Sequence, residues 1–233
     1  MIPIHKDSAW QGTSDCRQCA IRDMVLFADL TEEDFNLIHA PIDDMVFQAG
    51  KSVYEEGDQA IGVFTLRQGM MKLVRMTADG RERIVRIVFA GEVAGLEALV
   101  TGKYDSQAVA LTDTTVCRIP LAVIRELGAN SPRLHQKLME KWHSALKLAD
   151  DWLANLNFGS AKQRVTQFVR KMYELSTDGT VVLFGREDMG AMTDLKFETV
   201  SREVTALVRA GVLKPLDKLG RHYQVVDVKE LNL

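Results

Sequence analysis

No apolar run in this chain approaches the length of a membrane-spanning helix, and residues 1–10 contain no apolar core of a signal peptide. Both absences predict a cytoplasmic protein with no membrane partner. Histidine is missing altogether between residues 45 and 120, so the strands there cannot supply the clustered His and Glu ligands of a cupin-like catalytic pocket. The five histidines, at 5, 39, 135, 143 and 222, show no metal-ligand spacing. Cysteine is scarce as well, with three in the chain. Cys16 and Cys19 form a Cys-x-x-Cys, but nothing around them has the βαβ pattern of a redox dithiol. A strong excess of either charge is also absent, the net value being −3. Residues 1–157 carry 17 Lys and Arg against 22 Asp and Glu, and residues 158–233 carry 12 against 10, giving −5 and +2. A basic surface must therefore be local, around Lys196, Arg202, Arg209, Lys218 and Arg221.

What is present is enough apolar material, 46% of 233 residues, for two modest cores. From 45 to 120, short β-branched or alternating runs are separated by glycines at 50, 57, 62, 69, 80, 91, 95 and 102. The clearest strands are 63–67, 71–75, 84–88 and 116–119, with Thr77-Ala78-Asp79-Gly80 as a hairpin turn. Many short strands at this spacing predict a double-sheet jelly roll. After Asn130-Ser131-Pro132 a long helix begins, with Ser131 as N-cap and Pro132 in the first turn. Leu138, Trp142, Ala145, Ala149, Trp152 and Leu156 recur on it at steps of 4, 3, 4, 3 and 4, an a/d seam that predicts pairing with a second copy in a homodimer. Met139, Leu146 and Leu153 lie on a neighbouring face and are expected to cover the roll. Burial of both stripes within one subunit is the alternative, since periodicity does not distinguish the two.

The C-terminal third carries the most specific signal. Residues 186–193 form a short helix, Asp194-Leu195-Lys196 is the length of a tight turn, and residues 197–210 form a second helix that closes on Gly211. Val212-Leu213-Lys214 and Tyr223-Gln224-Val225-Val226 read as strands around the basic hairpin Asp217-Lys218-Leu219-Gly220-Arg221. In the second helix Val200, Val204, Leu207 and Val208 share the core face, which leaves Glu198, Ser201, Arg202, Thr205 and Arg209 for a groove of double-stranded DNA.

These parts in this order, with Glu198-Thr199-Val200-Ser201-Arg202 heading the second helix, resemble the Crp/Fnr family of bacterial transcription regulators, and within it the Fnr branch. The resemblance covers nearly the whole chain. It implies an α+β protein: an N-terminal segment and cyclic-nucleotide-binding-like β-roll over 1–130, a dimerisation helix over 131–157, and a winged helix-turn-helix over 158–233. It further implies a homodimer that binds DNA and works with RNA polymerase, with no enzymatic activity. The half-site implied is TTGAT, with Arg202 reading guanine, Glu198 accepting from a cytosine amine, Ser201 near thymine, and Lys196 and Thr199 as further DNA contacts. Relatives that bind cyclic nucleotides have a Gly-Glu pair and, about ten residues on, an Arg-Ser pair. This chain has Gly95-Leu96 and Asp105-Ser106. An anionic phosphate needs a cation there, so no cyclic nucleotide is expected, and Glu97 and Lys103 are expected to be solvated surface.

The placement of Cys16, Cys19 and Cys117 resembles that of the iron–sulfur members of the Fnr branch and implies a [4Fe–4S] cluster sensing oxygen, redox state or nitric oxide. That pattern has another N-terminal cysteine about ten residues after the first, where this chain has Met24, Val25, Leu26 and Phe27. A cubane takes four terminal ligands, which leaves the fourth to Asp23, Asp29, His5, a small exogenous ligand, or nothing. A cysteine set that has lost its cluster, with a small molecule sensed in the roll or constitutive activity, is the alternative. The remaining function class is a non-DNA-binding sensor or an enzyme with a cupin-like pocket, against which the absence of histidine from the roll stands.

Overall fold

The computed structural model describes Leu26 and residues 42–176 and 179–231. Its described residues divide into two compact units. One runs to Arg81 and resumes over Val85–Lys147, and the other comprises Glu82–Ile84 with Leu148–Leu233.

The first unit holds eight strands in two four-stranded sheets. β1 (Asp43–Phe47), β8 (Thr114–Pro120), β3 (Gly62–Gln68) and β6 (Val93–Ala94) form one in the order β1-β8-β3-β6. β2 (Ser52–Tyr54), β7 (Gln107–Ala110), β4 (Met71–Met76) and β5 (Glu82–Val88) form the other in the order β2-β7-β4-β5. The order crosses over repeatedly, which gives a jelly roll rather than a meander. Phe64 and Leu66 on β3, with Met71, Leu73 and Val116, are fully or nearly fully buried in the roll's core, and Val63, on the opposite face of β3, is buried as well. Gly62 has a steric reason to be glycine: a Cβ there would stand 2.5 Å from the Ile119 carbonyl oxygen on the paired strand. The expected turn at Thr77–Gly80 closes with the Thr77 amide donating to the Arg81 carbonyl at 2.9 Å. After β6 comes the short helix α1 (Ala98–Thr101), and after β8 the helix α2 (Leu121–Asn130).

α3 (Pro132–Leu156) starts where Ser131 and Pro132 predict, with the Leu134 amide donating to Ser131 Oγ at 3.4 Å. The break between the two compact units falls inside this helix, between Lys147 and Leu148. Its faces correct the expectation. Leu138 is buried in the roll's core with Trp142 packed beside it, and Trp152 and Leu156 are buried in the second unit, where Trp152 meets the edge of Phe168 at 6.1 Å. Ala145 and Ala149 are half-buried. The stripe expected to cover the roll is the one left open: Met139, Leu146 and Leu153 are 43, 62 and 59% exposed. The stripe with the tryptophans is the one that packs inside each unit, where burying a large apolar side chain yields about 1.5–3 kcal/mol without any association.

In the second unit, α4 (Ala161–Glu174) opens on a capping box. Ser160 Oγ accepts from the Gln163 amide at 3.2 Å, and Gln163 Oε1 accepts from the Ser160 amide at 2.8 Å. Its face of Val165, Phe168, Val169 and Met172 is buried, and Phe168 also meets Phe184 edge-on at 5.3 Å. β9 (Thr180–Val182), β10 (Leu213–Pro215) and β11 (His222–Val225) form a three-stranded sheet ordered β10-β11-β9. Between β9 and β10 stand α5 (Arg186–Thr193) and α6 (Phe197–Arg209).

Candidate nucleic-acid interface

The turn between α5 and α6 is tight because of three local features. Gly190 admits the close approach of the turn: a Cβ would lie 2.5 Å from the Leu195 carbonyl oxygen, whose own amide donates back to the Gly190 carbonyl at 3.1 Å. Asp194 takes the left-handed conformation at φ 53°, ψ 47°, a role for which Asp is tolerated where most L residues are not. Lys196 stands at the N-cap of α6 with extended backbone and makes no side-chain cap. From the other side α4 grips the turn, with Arg164 donating to the carbonyls of Thr193 at 2.9 Å and Asp194 at 3.4 Å.

α6 is sharply two-faced. Val200, Val204 and Leu207 are buried, and Val208 is half-buried. On the other side Phe197, Glu198, Ser201, Arg202, Thr205, Ala206, Arg209 and Ala210 line one continuous surface. Among the proposed contacts Lys196, Glu198 and Arg202 are exposed, while Thr199 and Ser201 are half-buried. Arg202 keeps 71% of its side-chain surface open and makes an ion pair with Glu203 at 3.3 Å; an exposed pair of this kind is worth about 0–1 kcal/mol and does not hold the guanidinium back. The first-turn Glu198 and last-turn Arg209 both suit the helix dipole.

The hairpin that follows is ordered by its own residues. Asp217 accepts the amides of Arg221 and His222, both at 3.1 Å, and His222 Nδ1 lies 2.5 Å from the same carboxylate. These bonds, the imidazole's first, pull the Asp217 carboxyl down to about 2. Arg186, at the start of α5, ties the hairpin back by donating to Tyr223 Oη at 2.9 Å and to the Gly220 carbonyl at 3.3 Å. Neither Arg164 nor Arg186 was legible in the sequence as a positioning residue, since a lone arginine carries no periodic signal. Nor was β9, a three-residue strand that pairs with β11 and makes the two-stranded hairpin a three-stranded sheet.

In the roll, Leu96 and Ser106 are buried and Asp105 is exposed. Lys103 is exposed as expected, but Glu97 is half-buried, its carboxylate accepting from the Asp105 amide at 3.5 Å, so it is more than solvated surface. Tyr54 stacks on Tyr104 with ring centroids 3.9 Å apart, and burial drives its hydroxyl far above the ordinary range. Cys117 sits half-buried on β8, paired in register with Thr65 and Asp44. Cys16 and Cys19 lie outside the described residues. Among the described residues, no group of three or more His, Cys, Asp or Glu side chains stands together as a metal site, and no helix is long and apolar enough to cross a membrane. The donor set of three cysteines in the sequence is one short of the four terminal ligands of a cubane.

Residues 44–131 match the family model of the cyclic nucleotide-binding domain. The chain is 26% identical to the fumarate nitrate reduction regulatory protein of Klebsiella oxytoca over 205 residues, covering 85% of this chain and 82% of that one. Among solved structures, FixK2 from Bradyrhizobium japonicum superposes with a TM-score of 0.75 at 24% identity, over 82% of this chain and 96% of that one. A transcriptional regulator of the CRP/FNR family from Thermus thermophilus does so with a TM-score of 0.64 at 22% identity, over 81% and 96%. The chain thus carries a cyclic nucleotide-binding domain and is similar to regulators of the Crp/Fnr family. These Fnr-like relatives are transcription regulators and not enzymes, and the cyclic-nucleotide-binding fold implied by the resemblance is the one the matching domain and structures have.

Proposed function

We propose that this Crp/Fnr-like regulator acts as a sequence-specific DNA-binding homodimer. The observation that carries the reading is the open face of α6, where Glu198, Ser201 and Arg202 project beside a hairpin tied to α5 by Arg186. α6 enters the major groove, Arg202 reads guanine in a TTGAT-like half-site, Glu198 accepts from a cytosine amine, and Lys196 and Thr199 contact the backbone. The two half-sites lie about one helical turn apart, roughly 34–36 Å. The second copy is taken up by the open stripe of α3, Met139, Leu146 and Leu153, flanked by Trp142, Ala145 and Ala149. RNA polymerase is the downstream partner.

The test is binding of the full chain to a TTGAT palindrome and to a scrambled duplex at fixed salt. Arg202→Ala should lose about 1–3 kcal/mol on the palindrome and relax the preference at one base pair; an equal loss on both duplexes would remove Arg202 as a base reader.

For the signal, the order of Cys16, Cys19 and Cys117 supports a [4Fe–4S] cluster with one non-thiolate ligand, which would supply oxygen- or nitric-oxide-sensitive chemistry. Anaerobic reconstitution should give about four irons and four sulfides per subunit, lost together in Cys16→Ser and Cys117→Ser. A colourless protein with three titratable thiols would favour instead a small molecule in the roll. There the Arg86 Nε is buried without a hydrogen-bond partner among the described residues.

A further inference from the structure

Phe197 is the first residue of α6 and is 50% exposed. The other large apolar side chains of the helix obey its amphipathic pattern: Val200, Val204 and Leu207 are buried and Val208 half-buried. Phe197 departs from it. It stands one turn before Ser201 and two before Thr205, so the three form a row along the open surface that also includes Glu198 and Arg202. Neither stability nor solubility gains from an aromatic ring in water at this position. The residues around it are a cation at 196, a carboxylate at 198 and a hydroxyl at 201, a polar setting that does not suit a wholly apolar protein partner.

The major groove offers one apolar feature, the C5-methyl group of thymine, and Phe is among the side chains that pack on it. Residues at the N-terminal end of a recognition helix are those that reach base edges. We infer that Phe197 is a specificity-determining residue that packs on a thymine methyl, beside the base pairs read by polar contacts from Glu198 and Arg202. This rests on the DNA-binding reading above and adds to it a contact that discriminates thymine from cytosine and from uracil by apolar contact alone.

The experiment uses the full chain and the duplex it enriches from a random pool. Each thymine of the half-site is replaced singly by uracil, which keeps its pairing and loses the methyl. The wild type should bind about three- to fivefold more weakly at one thymine position, the worth of one apolar carbon removed from water. Phe197→Ala should bind thymine and uracil duplexes equally at that position while keeping its discrimination at the guanine. Phe197→Leu, with an apolar tip, should keep part of the uracil penalty, and it carries the comparison if the alanine variant melts lower. A uracil penalty undiminished in both variants, or no sensitive thymine at all, overturns the assignment of Phe197 and leaves DNA binding standing. Failure to enrich any duplex removes the DNA-binding reading itself, and this contact with it.

Discussion

Lys196 shows how a single position can serve two ends badly matched to each other. Its backbone, at φ −71° and ψ 148°, is that of an N-cap, yet its side chain accepts no amide hydrogen bond and leaves the first turn of α6 uncapped. Replacing it by serine supplies the missing acceptor and should raise stability by about 1 kcal/mol, read as a higher melting temperature. The same change removes a cation beside the reading face, so binding should weaken on every sequence alike, with the slope of log affinity against log salt falling by about one. If stability rises and the salt slope stays unchanged, Lys196 touches no phosphate. Asp194 is a comparable compromise: the turn demands a left-handed residue, and an L side chain fills it. Both compromises were visible as residue types in the sequence, because a turn of fixed length leaves little choice about which residue takes which role.

At the scale of the element, the hairpin between β10 and β11 is held by one carboxylate. Asp217 ionises well below its ordinary range because it accepts the His222 imidazole and the amides of Arg221 and His222. Its depressed folded value means that the charged form stabilises the hairpin above the unfolded pKa. That support is lost as the pH falls from about 4 through about 2. Amide chemical shifts of Arg221 and His222 should titrate in that window, and Asp217→Asn should flatten the titration while lowering hydrogen-exchange protection at both amides at neutral pH. Unchanged protection in the variant would assign the hairpin's order to strand pairing alone. This hairpin and both helices before it were legible in the sequence to within a residue or two, because Gly, Asp and the apolar period of 3.6 act locally. β9 was not, being too short to show alternation and visible only once β11 lies against it.

At the scale of the whole molecule, the open stripe of α3 sets the expected assembly. Leu146 is 62% exposed within one chain, so Leu146→Asp should leave the subunit's fold and melting intact while placing a carboxylate in the proposed dimer seam at a cost of several kcal/mol. Sedimentation should then show monomer at micromolar concentration, with loss of affinity for the palindrome. A Leu146→Asp protein that remains dimeric would place the seam elsewhere. Trp152→Asp has a different expected outcome: Trp152 is buried against Phe168, so this change should destabilise the subunit itself.

The sequence by itself determined the parts and their order: a glycine-punctuated roll, a long helix with its N-cap, and two helices with a tight turn before a hairpin. Each follows from short-range geometry, in which steric freedom, capping and side-chain period act over a few residues. Only the tertiary structure decided which of two apolar stripes on α3 is buried inside the chain, because both have the same period and the choice depends on which cores lie beside the helix. It alone decided that Arg164 and Arg186 brace the turn before α6 and the hairpin after it, since their partners lie 29 to 37 residues away and include backbone carbonyls that have no sequence signature. It also decided that Phe197 stands in the open, because exposure is a property of what the rest of the chain fails to cover.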